Sequence, residues 1–282
     1  MTNKVALITG ANAGLGLATA KELAGRQFDL ILLCRNQQKG QTAQADVQRV
    51  NPSVKVDLIT ADLGNKDSIQ KAAKLIMDTY ARLDVLINNA GYTPATIEFT
   101  EEGIEKSFYA SHIGHFRLTY YLTDLLKRTA VQTGDVRIIS LSSAAYALGS
   151  KNRFFRRIDN LALFSAYGDD KLANLLFAKG AARQFAGTGI RAYSVHPGAV
   201  RTNFGADTPG FVGKLLKLAG PFMRTPQQGA QTTVFLASAP LKAIGERNTG
   251  GYFADSRPKS TFTGDITDAN ADWLWQKSLS FV

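Results

Sequence analysis

The stretch VALITGANAGLG, Val5 to Gly16, decides the fold: an apolar run, a turn with glycines at 10, 14 and 16, and a helical segment opening at Leu15. A short apolar run bounded by glycine reads as a buried strand. Strand, glycine loop and helix in that order suit phosphate. Glycine lets the backbone turn tightly and approach a pyrophosphate, while unpaired N–H groups and the positive end of the helix dipole attract it. The spacing is Gly-x-x-x-Gly-x-Gly, not the Gly-x-Gly-x-x-Gly of the general dinucleotide fingerprint. Taken alone, a tight strand-to-helix connection with no ligand is the other reading.

Further apolar runs follow at Leu30 to Cys34, Val56 to Ile59, Val85 to Ile87, Val136 to Leu141 and Ile190 to Val195. Between them, Leu15 to Gly25, Lys39 to Val50, Lys66 to Tyr80, Glu101 to Lys127 and Tyr167 to Phe185 carry apolar residues at helical spacing. Alternation of this kind implies right-handed crossovers and helices on both faces of a mostly parallel sheet. The expectation is a doubly wound α/β fold of about seven strands, with residues 1–282 forming one domain. The alternation loosens after Pro197. There a Gly/Pro-punctuated stretch, residues 203–226, is expected to cover a ligand cleft before a helix resumes near Gln227 to Leu236.

The chain has 282 residues, 45% hydrophobic and 20% charged, enough to bury a core without disulfides or metal. Lysine and arginine number 33 against 23 acids, a net charge of +10 that suits an anionic partner without saying which. Nucleic acid is not expected: the basic cluster Arg153, Arg156, Arg157 is broken by Phe154 and Phe155, and no recognition motif accompanies it. One cysteine, Cys34, cannot form an intrachain disulfide, and a cytoplasmic setting is expected. No apolar run reaches the roughly 18 residues of a membrane span.

The strand ends carry the next signals. After the second run the chain reads Leu33-Cys34-Arg35-Asn36. An acidic residue there would bond the adenosine ribose hydroxyls of NAD, whereas arginine offers a charged fork for a 2′-phosphate. Arg35 thus favours NADP(H) over NAD(H); a solvated surface arginine is the other reading. After the third run, Asp62-Leu63 puts a carboxylate where it could bond the adenine amino group, or cap the following helix. Tyr167 and Lys171 stand four apart and share one helical face. A phenol is a poor acid or base at neutral pH, and a neighbouring ammonium stabilises its phenolate. Ser142 and Ser143 end the fifth run, at the strand edge where ligands bind in open α/β sheets.

Taken in order, TGANAGLG, the CRN strand end, Asn88-Asn89-Ala90-Gly91, IGHF, LSS, YGDDKLAN and HPGAVRT resemble the short-chain dehydrogenase/reductase family over nearly the whole chain. The likeness is greatest to its retinol dehydrogenase-like, NADP-preferring branch. It implies a Rossmann fold and hydride transfer between nicotinamide and a carbonyl/alcohol pair. Ser143 would hold the substrate oxygen, Tyr167 would exchange its proton, and Lys171 would bind the nicotinamide ribose. The cofactor would lie along Gly10, Asn12, Gly14, Leu15 and Gly16, then Arg35, Asp62 and Leu63. It would continue past Asn89, Ala90 and Gly91 to Tyr167 and Lys171, and end at Pro197, Gly198, Val200 and Thr202.

One position departs from the family. Where relatives read Asn-His-x-Gly-His-Phe, this chain has Ser111 before His112 and His115. In the family that asparagine helps hold a water beside the lysine, and serine is shorter. A cofactor-binding regulatory or scaffold protein with weak catalysis is therefore the rival reading. His112 and His115 lack a third ligand, so no metal is expected.

The stretch between Ser143 and Tyr167, with Phe204, Phe211, Leu215, Leu218 and Phe222, suits an apolar pocket for a lipophilic aldehyde, ketone or alcohol. Burial of that stretch against the protein's own core is the alternative. KLLKLAG, Lys214 to Gly220, reads as a substrate lid, with peripheral membrane contact as the lesser reading. Relatives are often dimers or tetramers, which leaves a homo-oligomer open.

Overall fold

In the computed structural model, residues 3–91, 96–200 and 223–282 are described. Eight strands form one sheet among them: β1 Lys4–Thr9, β2 Phe28–Cys34, β3 Val56–Thr60, β4 Val85–Asn88, β5 Val136–Leu141, β6 Ile190–His196, β7 Tyr252–Ala254 and β8 Arg257–Lys259. Their order is β3-β2-β1-β4-β5-β6-β7-β8, parallel throughout except for the antiparallel edge pair β7–β8. This is a Rossmann-like sheet with one strand more than expected. The extra pair is short and follows the glycines Gly250 and Gly251, so it left no apolar run.

Side chains of successive strand residues point to opposite faces, and both faces are buried here. Leu7, Ile31 and Leu33 meet α3 (Lys66–Thr79), while Ile8, Leu30 and Leu32 meet α1 (Gly14–Gly25) and α2 (Gln37–Val50). The chain turns back after β3 to place β4 on the other side of β1. That reversal opens a crevice at the carboxyl ends of β1 and β4, where ligands bind in such sheets.

The helix expected over Glu101 to Lys127 is instead broken into pieces. Glu105 caps α4 (Lys106–Phe108) by accepting from the Phe108 N–H. A π-helical turn, Tyr109–Gly114, follows, then α5 (His115–Tyr121) and α6 (Thr123–Thr133). Thr119 and Thr123 donate their hydroxyls to carbonyls four residues back, a bond that bends helices, and the axis breaks at Leu122.

The long helix α7 (Leu163–Gln184) lies under β5 and β6, and α8 (Pro226–Ser238) under the opposite face. The last helix, α9 (Asp268–Leu279), covers α7 with Ala271, Leu274 and Trp275. Thr202 and most of the segment 203–226, including Phe204, Phe211, Leu215, Leu218, Phe222 and the KLLKLAG stretch, lie outside the described residues.

Candidate active site

The glycine turn is built as a cradle. Gly10 and Gly14 have φ of +65° and +53°, where a Cβ is strained, and a Cβ on Gly16 would stand 2.4 Å from the Gly10 carbonyl oxygen. Helix α1 can therefore press directly against the loop. Its N-terminus has no capping side chain at Ala13, whereas Asn36 and Asn65 cap α2 and α3. The first-turn amides of α1 are left open to an anion. Beneath the loop, burial pushes the Cys34 thiol up to about 11, against the opposing pull of the backbone at Ala11 and Asn12. It is a packing group, not a nucleophile.

Thr9 ties this loop to the turn after β4. Its Oγ1 accepts from the N–H groups of Asn89 and Ala90, both at 2.9 Å, while Asn89 Nδ2 donates to the Thr9 carbonyl at 2.7 Å. The same hydroxyl lies 2.8 Å from His115 Nε2. His115 Nδ1 faces the Ser111 carbonyl at 2.7 Å, so Nδ1 carries the proton and Thr9 donates to Nε2. Burial and the nearby Lys171 charge hold His115 neutral, its value lowered to about 4.

On the adenine side, Arg35 is exposed at the end of β2 and joins no ion pair among the described residues. Asp62 does not cap a helix: Asn65 caps α3, and Asp62 Oδ1 accepts from the Gly64 N–H at 2.8 Å in the turn before it. Leu63 packs against the π-turn so closely that a Cβ on Gly114 would stand 2.3 Å from its carbonyl oxygen.

At the other end of the crevice, Lys171 is 6% exposed, with its ammonium 5.2 Å from the centre of the half-buried Tyr167 ring. A Cβ on Gly91 would lie 3.5 Å from Lys171 Nζ and 3.8 Å from Ser111 Oγ, so these three residues meet. Ser111 is 1% exposed and its hydroxyl has no hydrogen-bond partner.

The two serines after β5 separate by their bonds. Ser142 is buried and donates to the Lys171 carbonyl at 2.7 Å, which commits it to holding α7. Ser143 is half-buried and accepts from the Ala145 N–H at 3.2 Å, opening a 3₁₀ turn, Ala144–Leu148. That turn presses on α7 beside Tyr167, since a Cβ on Gly168 would stand 2.8 Å from the Gly149 nitrogen.

The Pro197 turn closes the crevice. Gly198 has φ of +85°, with the Arg224 guanidinium where a Cβ would be, and Arg224 Nη1 donates to the Pro197 carbonyl at 3.4 Å. Val200 meets Leu15 over Gly229 of α8, joining this turn to the phosphate loop.

Three contributors were not singled out from the sequence. Thr9 and Arg224 carry no local motif for their bonds, which form between distant segments. His196 lies inside the HPGAVRT stretch, and its Nδ1 accepts from the Ala144 N–H at 3.3 Å and so steadies the serine turn. His112 lies against Ser278 Oγ at 2.8 Å, and the described residues contain no group of three or more potential metal ligands. In the stretch between Ser143 and Tyr167, Phe154 and Tyr146 are core residues and Phe155 stacks on Phe281, while Leu148 and Phe164 are each 55% exposed.

The sequence profile of the short chain dehydrogenase family matches residues 4–209. The chain belongs to the short-chain dehydrogenase family. It is accordingly an oxidoreductase acting on CH–OH groups. Retinol dehydrogenase 12 of Mus musculus is 36% identical over 99% of this chain and 86% of its own length. Retinol dehydrogenase 11 of Homo sapiens is 36% identical over 100% and 86%. Among solved structures, an uncharacterized protein from Mycobacterium Paratuberculosis aligns with a TM-score of 0.72 and 27% identity, covering 98% of this chain and 92% of that one. A Burkholderia cenocepacia short chain dehydrogenase, determined in complex with NADP, shares the fold at a TM-score of 0.70 and 23% identity, covering 89% and 95%. No helix among this dehydrogenase's described residues is long and apolar enough to cross a membrane.

Proposed function

We propose that this dehydrogenase transfers hydride between NADP(H) and a carbonyl/alcohol pair on a lipophilic small molecule. The observation that carries the reading is the meeting of Lys171, Tyr167 and Gly91 at the carboxyl edge of the sheet. The residues present fit a dinucleotide: a cradle that a Cβ on Gly16 would fill, open amides at α1, and an orphaned hydroxyl on Ser111 beside Lys171. In this reading the α1 amides hold the pyrophosphate and Arg35 takes the 2′-phosphate. Asp62 and Leu63 flank the adenine, and the Pro197 turn with Val200 flanks the nicotinamide. When bound, the nicotinamide supplies or accepts the hydride.

The chain's own residues handle the proton. In reduction, the Tyr167 hydroxyl donates its proton to the substrate oxygen, and Ser143 donates a hydrogen bond that orients that oxygen. Lys171 stabilises the phenolate left on Tyr167 and binds the nicotinamide ribose. Oxidation runs the same steps in reverse. The names of the relatives and the exposed Leu148 and Phe164 beside the serine turn support a lipophilic substrate.

Calorimetry with NADPH and NADH, followed by turnover on retinaldehyde, aliphatic aldehydes and ketones, tests the reading with Tyr167→Phe as control. NADPH-selective turnover that the variant loses is expected. Tight NADPH binding without turnover on any carbonyl or alcohol would move the weight to the regulatory reading, which Ser111 motivates. Failure of both nucleotides to bind would overturn both.

A further inference from the structure

The backbone ladder between β5 and β6 ends at Ser142, whose N–H donates to the Val195 carbonyl at 2.8 Å. One residue further along β6 a side chain takes over: His196 Nδ1 accepts from the Ala144 N–H at 3.3 Å. Between these two bonds lies Ser143, with extended backbone. Its hydroxyl accepts from the Ala145 N–H at 3.2 Å, which leaves the hydroxyl proton free for a substrate oxygen. The aim of that proton depends on where Ala144 and Ala145 sit.

The far end of the turn is fixed by packing. Tyr146 stands edge-on to Tyr252, with ring centres 5.2 Å apart, its hydroxyl accepts from the Phe262 N–H at 3.3 Å, and Gly149 meets Gly168 of α7. The near end is held past the ladder by the His196 bond, and the His196 ring lies flat on Tyr252, planes 12° apart and centres 6.5 Å apart. We propose that His196 is a positioning residue for the reaction: its Nδ1 lone pair, by holding the Ala144 N–H, fixes the turn that aims the Ser143 hydroxyl at the substrate oxygen. The inference rests on the role given to Ser143 above.

The bond requires the neutral ring with its proton on Nε2. A proton on Nδ1 would set N–H against N–H and release the near end of the turn. Three groups face the ring. Arg224 opposes a positive charge on it, Asp255 of the β7–β8 turn favours one, and Tyr252, raised by burial, does not titrate in the acid range. Arg224 and Asp255 are themselves paired at 2.7 Å. Burial and Arg224 outweigh Asp255, so His196 stays neutral to below the usual histidine value. The hold on Ser143 is complete at neutral pH and is lost on acidification.

The test is kcat for carbonyl reduction at saturating NADPH between about pH 5 and 8, with NADPH affinity measured by calorimetry. In this direction Tyr167 must keep its proton, so acid does not by itself impair it. The parent should lose kcat on the acid side. His196→Leu keeps no acceptor, and its kcat should fall about 10- to 100-fold at neutral pH, with NADPH affinity within about threefold. His196→Asn puts a carbonyl oxygen near the place of Nδ1 and cannot ionise, so it should restore kcat to within about threefold of the parent and abolish the acid fall. Both variants lose the ring stacked on Tyr252, so a merely structural role would lower them equally, and equal kcat in the two would overturn the proposal. An acid fall that persists in His196→Asn would overturn it as well, even should His196→Leu not fold. A parent profile flat to pH 5 would overturn the acid sensitivity. In a Ser143→Ala background His196→Leu should cost nothing more, and a full additive loss would overturn action through Ser143. Unimpaired turnover in Ser143→Ala alone, or none in the parent, would instead count against the proposed function.

Discussion

Ser111 Oγ is buried without a hydrogen-bond partner, and a hydroxyl left so costs about 1–3 kcal/mol. Ser111→Ala removes that penalty, so the variant should be at least as stable as the parent, by up to about 1 kcal/mol. Its kcat should fall several-fold, because the hydroxyl sits with the Lys171 ammonium around Gly91, at the cofactor's side of the site. Lower stability with unchanged kcat would assign Ser111 to packing. Arg35 is the residue to change for cofactor choice. Hydrogen bonds to a charged group contribute about 1.5–3 kcal/mol, so Arg35→Glu should weaken NADPH binding about 10- to 100-fold and leave NADH within a few-fold. Equal losses for both nucleotides in titration calorimetry would remove Arg35 from the 2′-phosphate site.

At the scale of elements, the close approach of α1 to the glycine loop makes a testable joint. Gly16→Ala would drive a methyl against the Gly10 carbonyl and Asn89 Nδ2, at 2.4 and 2.6 Å, and overpacking of this kind costs about 1–3 kcal/mol. Melting temperature and NADPH affinity should fall together. Gly25→Ala, at the far end of the same helix, meets only Val50 at 4.0 Å and should leave both unchanged. Equal behaviour of the two variants would mean that the loop adapts.

The elements also show what could be read in advance. Each of the six apolar runs became a strand, because a strand buried on both faces needs a continuous apolar stretch that stands out locally. The π-turn did not stand out. It depends on Gly114 sliding under the Leu63 carbonyl, two segments far apart in sequence. The same holds for the site. Tyr167, Lys171 and Gly91 were legible as motifs, whereas the bonds of Thr9, His196 and Arg224 arise only once β1, β4, β5 and β6 are side by side. Phe154 and Phe155 were ambiguous for a related reason: an aromatic pair reads alike in a pocket and in a core, and α9 decides for the core.

Across the whole molecule, buried titratable groups set opposing limits on stability. Burial holds His112 and His115 neutral, lowered to about 3 and about 4, while in the unfolded chain histidine titrates near 6.5. Lowered folded values mean that the unfolded chain binds protons first as pH falls. The stabilisation is complete above about pH 6.5 and is lost as pH drops through the folded values, about 2 kcal/mol per histidine between pH 7 and 5. Asp170 works in the other direction: its raised folded value gives stability that is complete below the usual carboxylate range and is lost as pH rises through that value. His112 and His115 together thus cost the parent up to about 4 kcal/mol between pH 7 and 5, against an opposing gain from the raised acids Asp169 and Asp170. His112→Gln can still bond Ser278 and carries no titrating ring, so it should lose about 2 kcal/mol less than the parent over that interval. Urea unfolding at pH 5 and 7 measures the difference directly. Parallel losses in the two proteins would mean that His112 is protonated in the fold, which would require a counter-charge that neither Ser278 nor the surrounding Phe108, Phe116, Phe155 and Phe177 rings can supply.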